Sequence, residues 1–302
     1  MPRHFLTGEE ISSEELGRLL DRALELKADR AASQALAGRS VALIFEKPST
    51  RTRVSFEVGV GELGAQPIVL TSADLQLTRG ESVRDTALVL SRYVHAIGVR
   101  TGAHAIAAEL AEHADVPVIN MLTADHHPCQ ALADLLTLRE RFGKLDGLKI
   151  AYVGDGNNVA HSLMLLGAKA GVHVAIATPE ELAPHPLVAQ VAGASAAAGG
   201  RVDLTNDPGA AAADAHALYT DVWVSMGDED EAVRRLELLE PFRLDSELLA
   251  RARPDAVALH CLPAHPGQEI SEDVLYGERS AIWDQAENRL HAQKALLELL
   301  AG

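Results

Sequence analysis

Short apolar runs recur along this chain, each separated from the next by a polar turn and a stretch with helical periodicity. They lie at residues 41–45, 66–70, 94–99, 116–119, 148–153, 172–177, 202–204 and 256–259, with another beginning at Ala217. Parallel strands need a crossover helix between them, and those helices cover both faces of the sheet, so this alternation predicts an α/β fold. The pattern breaks once, at Gly143-Lys144-Leu145-Asp146-Gly147, and then restarts. Two domains are expected, each a mainly parallel sheet flanked by helices, with the division after residue 143. The 302 residues suit that division, leaving roughly 150 per domain.

The first apolar run empties through Lys47-Pro48 into Ser49-Thr50-Arg51-Thr52-Arg53. That order reads as a strand, a turn and a helix whose first turn carries hydroxyls and guanidiniums. Backbone N–H groups at a helix start and forked guanidiniums both favour an anion with several oxygens. The Gly-rich spacing of a Walker loop is absent. Arg100, at the end of the run 94–99, is placed to join the cluster, because residues at strand carboxyl ends line the crevice of an open α/β sheet. His127 and Gln130 sit three apart at the opening of a helix read over 131–142, so both can address one ligand. Gln76 lies in a polar segment, 74–82, too charged for a core and free to reach a ligand or a neighbouring subunit.

In the second half, Gly154-Asp155-Gly156-Asn157-Asn158-Val159 resembles a dinucleotide turn only in part. Val159 occupies the seat of the third glycine, which argues against an NAD-dependent oxidoreductase. The asparagines, Asn158 in particular, offer amide donors and a helix start to a carboxylate. Asp221 sits at a strand mouth, where it can hold an ammonium group. His260-Cys261 invites a thiol-nucleophile reading, but no orienting third group is evident. Zinc between His260, Cys261 and His265 lacks a recognised ligand spacing. No metal or cofactor is expected.

With 43 acidic and 27 basic residues the net charge is -16, which argues against nucleic acid or an anionic membrane as partner. The start, Met1-Pro2-Arg3-His4-Phe5, lacks a signal peptide's apolar core, and a cytoplasmic protein is expected. Cys129 and Cys261 are too far apart in sequence to form a Cys-x-x-Cys pair. An acidic chain that aims Arg51, Arg100 and Arg289 at strand and helix ends suits a small dianion. A phosphorylated compound and an amino acid are the expected substrates.

Ser49-Thr50-Arg51-Thr52-Arg53, His127-Pro128-Cys129-Gln130, Asp221-Val222-Trp223-Val224-Ser225-Met226-Gly227, His260-Cys261-Leu262-Pro263 and Glu287-Asn288-Arg289 together resemble the aspartate/ornithine carbamoyltransferase family, on its ornithine side. The resemblance runs over essentially the whole chain. It implies transfer of the carbamoyl group of carbamoyl phosphate to the δ-amine of ornithine, by a homotrimer with shared active sites. It implies a carbamoyl phosphate-binding domain over 1–143, with a C-terminal helix 286–302 packing back on it, and an ornithine-binding domain over 144–285. Ser49, Thr50, Arg51, Thr52 and Arg100 would hold the phosphate, with Gln76 supplied by the adjacent subunit. His127, Gln130, Arg289 and the main chain around Cys261 and Leu262 would address the carbamoyl portion. Asn158, Asp221, Ser225 and Met226 would hold ornithine. Within this set Arg51, His127, Asp221, Cys261 and Arg289 are the expected catalytic residues. Pro266-Gly267-Gln268 departs from a common Arg-Gly-Glu, and Gly102 stands where phenylalanine is usual. Two other readings are a carbamoyltransferase for a different amine such as putrescine, and a non-catalytic amino-acid-binding module.

Overall fold

The structure is a computed structural model that describes residues 2–75, 80–224 and 229–302. In chain order its helices and strands are α1 (Ser13–Ala28), β1 (Ser40–Phe45), α2 (Thr50–Glu62), β2 (Gln66–Thr71), α3 (Val83–Leu90), β3 (Ala96–Arg100), α4 (His104–His113), β4 (Val118–Leu122), α5 (Pro128–Phe142), β5 (Lys149–Val153), α6 (Asn158–Lys169), β6 (His173–Ala177), α7 (Pro186–Ala194), β7 (Arg201–Thr205), α8 (Pro208–Ala212), β8 (Ala217–Thr220), α9 (Ala232–Leu239), α10 (Ser246–Arg251), β9 (Val257–His260), α11 (Glu272–Leu275) and α12 (Ile282–Ala301). The chain divides into two compact units, Met1–Leu136 with Glu287–Gly302, and Thr137–Ala286.

In the first unit the strand order is β2-β1-β3-β4, all parallel. The central strands β1 and β3 are buried almost throughout, whereas β2 at the edge is mostly half-exposed. From β1 the chain first adds β2 on one side and then β3 on the other. The crevice therefore opens at the carboxyl ends of β1 and β3, where Phe45 pairs with Arg100. The register of β3 against β4 slips between Val99 and Arg100, an irregularity of the kind that re-aims a side chain next to a site. Glu46 ties the two strand ends together: its N–H donates to the Arg100 carbonyl at 2.9 Å, and its carboxylate accepts from the Gly102 N–H at 2.7 Å and from the Thr101 hydroxyl.

The second unit repeats the logic with the order β7-β6-β5-β8-β9, again all parallel. Its reversal lies between β5 and β8, so the crevice falls where Gly154–Asn158 and Asp221 emerge. Tyr152 and Tyr219 pair across those strands edge to face, centroids 5.5 Å apart, and the Thr220 hydroxyl donates to the Val153 carbonyl at 2.8 Å. Among the described residues no helix is long and apolar enough to cross a membrane.

Most elements fall where the periodicity predicts, and the departures have local causes. The run 116–119 becomes a strand only at Val118, because Pro117 cannot donate to a ladder. The strand then continues through Asn120, whose polarity masks it in the sequence; Asn120 is buried and its amide donates to the Leu6 carbonyl at 2.8 Å. Helix α7 stops at Ala194, short of a tight approach in which any side chain at position 200 would meet the Ala168 carbonyl oxygen at 2.1 Å. The terminal helix begins at Ile282, about one turn before the expected start at residue 286.

Candidate active site

In the first unit, α2 starts directly after β1. Its N-cap, Ser49, is in extended conformation and makes no side-chain cap hydrogen bond. Serine ordinarily spends its hydroxyl on the helix's own first-turn N–H groups. Here the hydroxyl is not so used, and Thr50 and Arg51 stand exposed beside it. Arg53, by contrast, turns along the helix to Glu57 at 2.8 Å and is occupied there.

One turn of α2 inward, Thr52 is buried, and its hydroxyl accepts from Nη2 of Arg289 at 2.7 Å. Nη1 of the same guanidinium donates to Oε1 of Gln130 at 3.0 Å. Gln130 in turn donates through Nε2 to Oδ1 of Asp134 at 2.8 Å. Gly59 lies at the close approach of α12 to α2, where a Cβ would lie 3.2 Å from Cγ of Lys294. Lys294 is itself buried, and its ammonium donates to Glu62 at 2.8 Å and to the Arg30 carbonyl at 2.7 Å.

His127 reports how many cations meet here. Burial lowers its proton affinity well below the ordinary value, and the positive charges of Arg289, Arg100 and Arg51 lower it further. Three arginines from three separate stretches thus converge on one neutral imidazole. The arrangement offers N–H and O–H donors and positive charge around a point, the requirement for an anionic ligand whose neighbouring carbonyl gains charge. Cys129, one residue on, is different: its buried thiol is pushed up to about 12 and donates to the Asn120 carbonyl, so it is no nucleophile.

In the second unit Asp221 is buried at the end of β8. Burial raises its pKa, opposed by the nearby His260, by the Val222 N–H and by the Asn157 amide. Asn157, which sequence reasoning passed over for its neighbour, is the N-cap of α6. Its Oδ1 accepts from the N–H groups of Val159 and Ala160, and its Nδ2 donates to Asp221 Oδ2 at 3.0 Å. Two first-turn N–H groups expected to be open to a ligand are therefore used by the cap, the opposite of the situation at Ser49. The signal was available, since an asparagine just before an apolar helical run is a preferred cap. Asn158 follows as the half-buried first residue of α6.

The partial dinucleotide turn has a packing explanation. A side chain at Gly156 would run into the backbone of Leu182 and Pro184 at 2.5 and 2.4 Å, and the Asp155 carboxylate is buried in an ion pair with Arg235. Arg235 also donates to the Trp223 carbonyl at 2.8 Å, so it clamps this loop to the segment that follows Asp221.

Cys261 is buried after β9, next to Leu262, whose φ of 62° lies in the left-handed region. The Leu262 N–H donates to Nδ1 of His260 at 2.8 Å, and His260 Nε2 faces buried Glu269 at 3.2 Å. Both ring nitrogens are thereby engaged, which removes His260 as a zinc ligand, while the half-exposed His265 turns its Nδ1 to the same Glu269 carboxylate at 3.6 Å. Leu262 can present only its carbonyl to a ligand. Gln76, Ser225 and Met226 lie outside the described residues.

Residues 3–140 match the aspartate/ornithine carbamoyltransferase carbamoyl-P binding domain, and residues 146–300 match the Asp/Orn binding domain of the same family. An ornithine carbamoyltransferase of Acidothermus cellulolyticus is 56% identical over 99% of this chain and 97% of its own length. One from Methanoculleus marisnigri is 51% identical, covering 100% of this chain and 98% of its own. The solved ornithine carbamoyltransferase of Pyrococcus furiosus superposes with a TM-score of 0.96 at 48% identity, over 100% of this chain and 97% of that one. With both domains matched and relatives this similar along their whole length, the chain belongs to the aspartate/ornithine carbamoyltransferase family.

Proposed function

We infer that this protein transfers the carbamoyl group from carbamoyl phosphate to the δ-amine of L-ornithine, giving L-citrulline and phosphate. The observation that carries the reading is the convergence of Arg51, Arg100 and Arg289 on neutral His127, beside an α2 start whose cap hydroxyl is not spent on the helix. The names of its full-length relatives support ornithine as the acceptor.

In this reading Ser49, Thr50, Arg51, Thr52 and Arg100 bind the phosphate, with Gln76 completing the site. His127, Gln130, Arg289 and the carbonyls around Cys261 and Leu262 orient the carbamoyl group. Asn158, Asp221, Ser225 and Met226 hold ornithine. The unprotonated δ-amine attacks the carbamoyl carbon, the oxyanion gathers charge in front of the Arg289 and His127 donors, and phosphate departs toward the arginines. His127 serves as a neutral donor because its surroundings keep it deprotonated. Residues 1–143 with 286–302 form the carbamoyl phosphate-binding domain and 144–285 the ornithine-binding domain of a cytoplasmic enzyme. An acceptor screen with carbamoyl phosphate tests the assignment: ornithine should give citrulline, and a preference for putrescine would overturn it.

We also infer a homotrimer with shared sites. Val54 and Val58, one turn apart on α2, and Leu88, Val89 and Tyr93 at α3 expose apolar surface, Tyr93 to 71%, which suits contact with further copies. Chains carrying Arg51→Ala and chains carrying Gln76→Ala, each inactive alone, should regain activity when subunits are exchanged, because a mixed trimer contains interfaces with both residues intact. Verified mixed trimers that stay inactive would show that Gln76 does not act across a boundary.

A further inference from the structure

We propose that Asp134 is a positioning residue that turns the carbonyl oxygen of Gln130 toward the anion site and thereby makes the site prefer a donor-bearing acyl phosphate over a methyl-bearing one. This rests on the carbamoyl phosphate reading of the site. The argument is one of hydrogen-bond valence. An amide side chain can be placed either way round, and its neighbours decide. Gln130 is buried between a guanidinium, which can only donate, and a carboxylate, which when ionised can only accept. Oε1 must therefore face Arg289 and Nε2 must face Asp134, as the 3.0 and 2.8 Å contacts show.

Arg289 alone cannot keep that orientation through a reaction cycle. Its two terminal nitrogens are already divided between Thr52 and Gln130, and an incoming anion competes for them. Asp134 is fully buried and sits four residues after Gln130 on the same face of α5, so its hold on Nε2 persists when Arg289 turns to the ligand. The carbonyl oxygen has two lone pairs and spends one on Arg289. The other is an acceptor for an N–H group. A carbamoyl group carries an NH2 there, whereas an acetyl group carries a methyl, which leaves a buried acceptor unpaired. The result is selection against acetyl phosphate by a residue that touches neither ligand.

The test uses the full-length protein and three probes: carbamoyl phosphate, acetyl phosphate and inorganic phosphate, with dissociation constants from calorimetry. In Asp134→Ala the preference for carbamoyl over acetyl phosphate should fall about threefold to tenfold, while inorganic phosphate affinity stays within about twofold. Asp134→Asn retains an acceptor oxygen and should restore most of the preference. An equal loss for all three probes would mean that Asp134 only supports the fold, and an unchanged preference would mean that it does not orient Gln130; either overturns the proposal while the carbamoyl phosphate reading survives. A parent protein that binds neither acyl phosphate would instead remove the reading and the proposal together. Should Asp134→Ala not fold, the Gln130 side-chain amide of 15N-glutamine-labelled parent decides: slow hydrogen exchange supports a held NH2, and free exchange overturns it.

Discussion

Replacing Arg289 with methionine is expected to lower kcat/KM by about 10²- to 10³-fold, the range found when a preorganised donor to a developing oxyanion is removed. Methionine keeps the bulk of the aliphatic stem, so the loss reports on the guanidinium. That group is only 3% exposed and reaches Thr52 and Gln130 at once, which a lysine ammonium cannot reproduce with the same fork geometry. Arg289→Lys should therefore recover little. Arg289 is also one of the charges that depress His127, so its removal should move the His127 titration upward, although burial, the larger cause, remains. Steady-state kinetics with an NMR titration of His127 checks both halves. Near-normal kcat/KM would remove Arg289 from the site, and an unmoved His127 titration would remove the electrostatic coupling. Leaving the Thr52 hydroxyl and the Gln130 carbonyl without their donor costs on the order of 1–3 kcal/mol of stability, so thermal unfolding must be followed alongside.

How far the sequence discloses this site depends on whether a residue's role is local. The start of α2 is legible because strand, turn, cap position and hydroxyl cluster are contiguous. Arg100 is legible from its place at a strand end, a rule of topology. Asp134 and Asn157 are not singled out in the same way, because what marks them is a partner. Asp134 looks like any acid on a helix until Gln130 is seen four residues before it on a buried face. Asn157 looks like the less important member of a pair until Asp221, 64 positions on, is found against its amide. Glu46 is similar: as the residue after an apolar run it reads as solvated, yet it holds the ends of β1 and β3 together, and the Thr101 hydroxyl and Gly102 N–H bonds pull its pKa down. Pairings across long sequence separation are set by the sheet order, which the alternation of runs predicts in kind and not in sequence of neighbours.

Replacing Asp221 with asparagine should separate activity from stability. Burial is the largest influence on this carboxyl and raises its pKa from 3.8. A carboxyl whose pKa is higher folded than unfolded binds its proton more readily in the folded state. Its contribution to stability is thus fully present at low pH and is lost as pH rises through the unfolded value toward the folded one. Once ionised, the buried side chain is a net burden on the fold unless a cationic group meets it. The amide removes the charge, keeps the shape and still accepts from Asn157. The melting temperature at pH 7 should therefore equal or exceed the parent's, and the difference should shrink on acidification as the parent carboxyl protonates. On the proposed ornithine contact, in contrast, the substrate's ammonium group loses a charged partner. A hydrogen bond to a charged group is worth about 1.5–3 kcal/mol, so kcat/KM for ornithine should drop about 10- to 150-fold. Carbamoyl phosphate affinity should not change, because the arginines proposed to bind it belong to the other compact unit. Melting curves across pH, with kcat/KM for ornithine and direct carbamoyl phosphate binding, provide the comparison. A destabilised variant would show that the Asp221 charge serves the fold, and an undiminished kcat/KM would show that ornithine is held elsewhere.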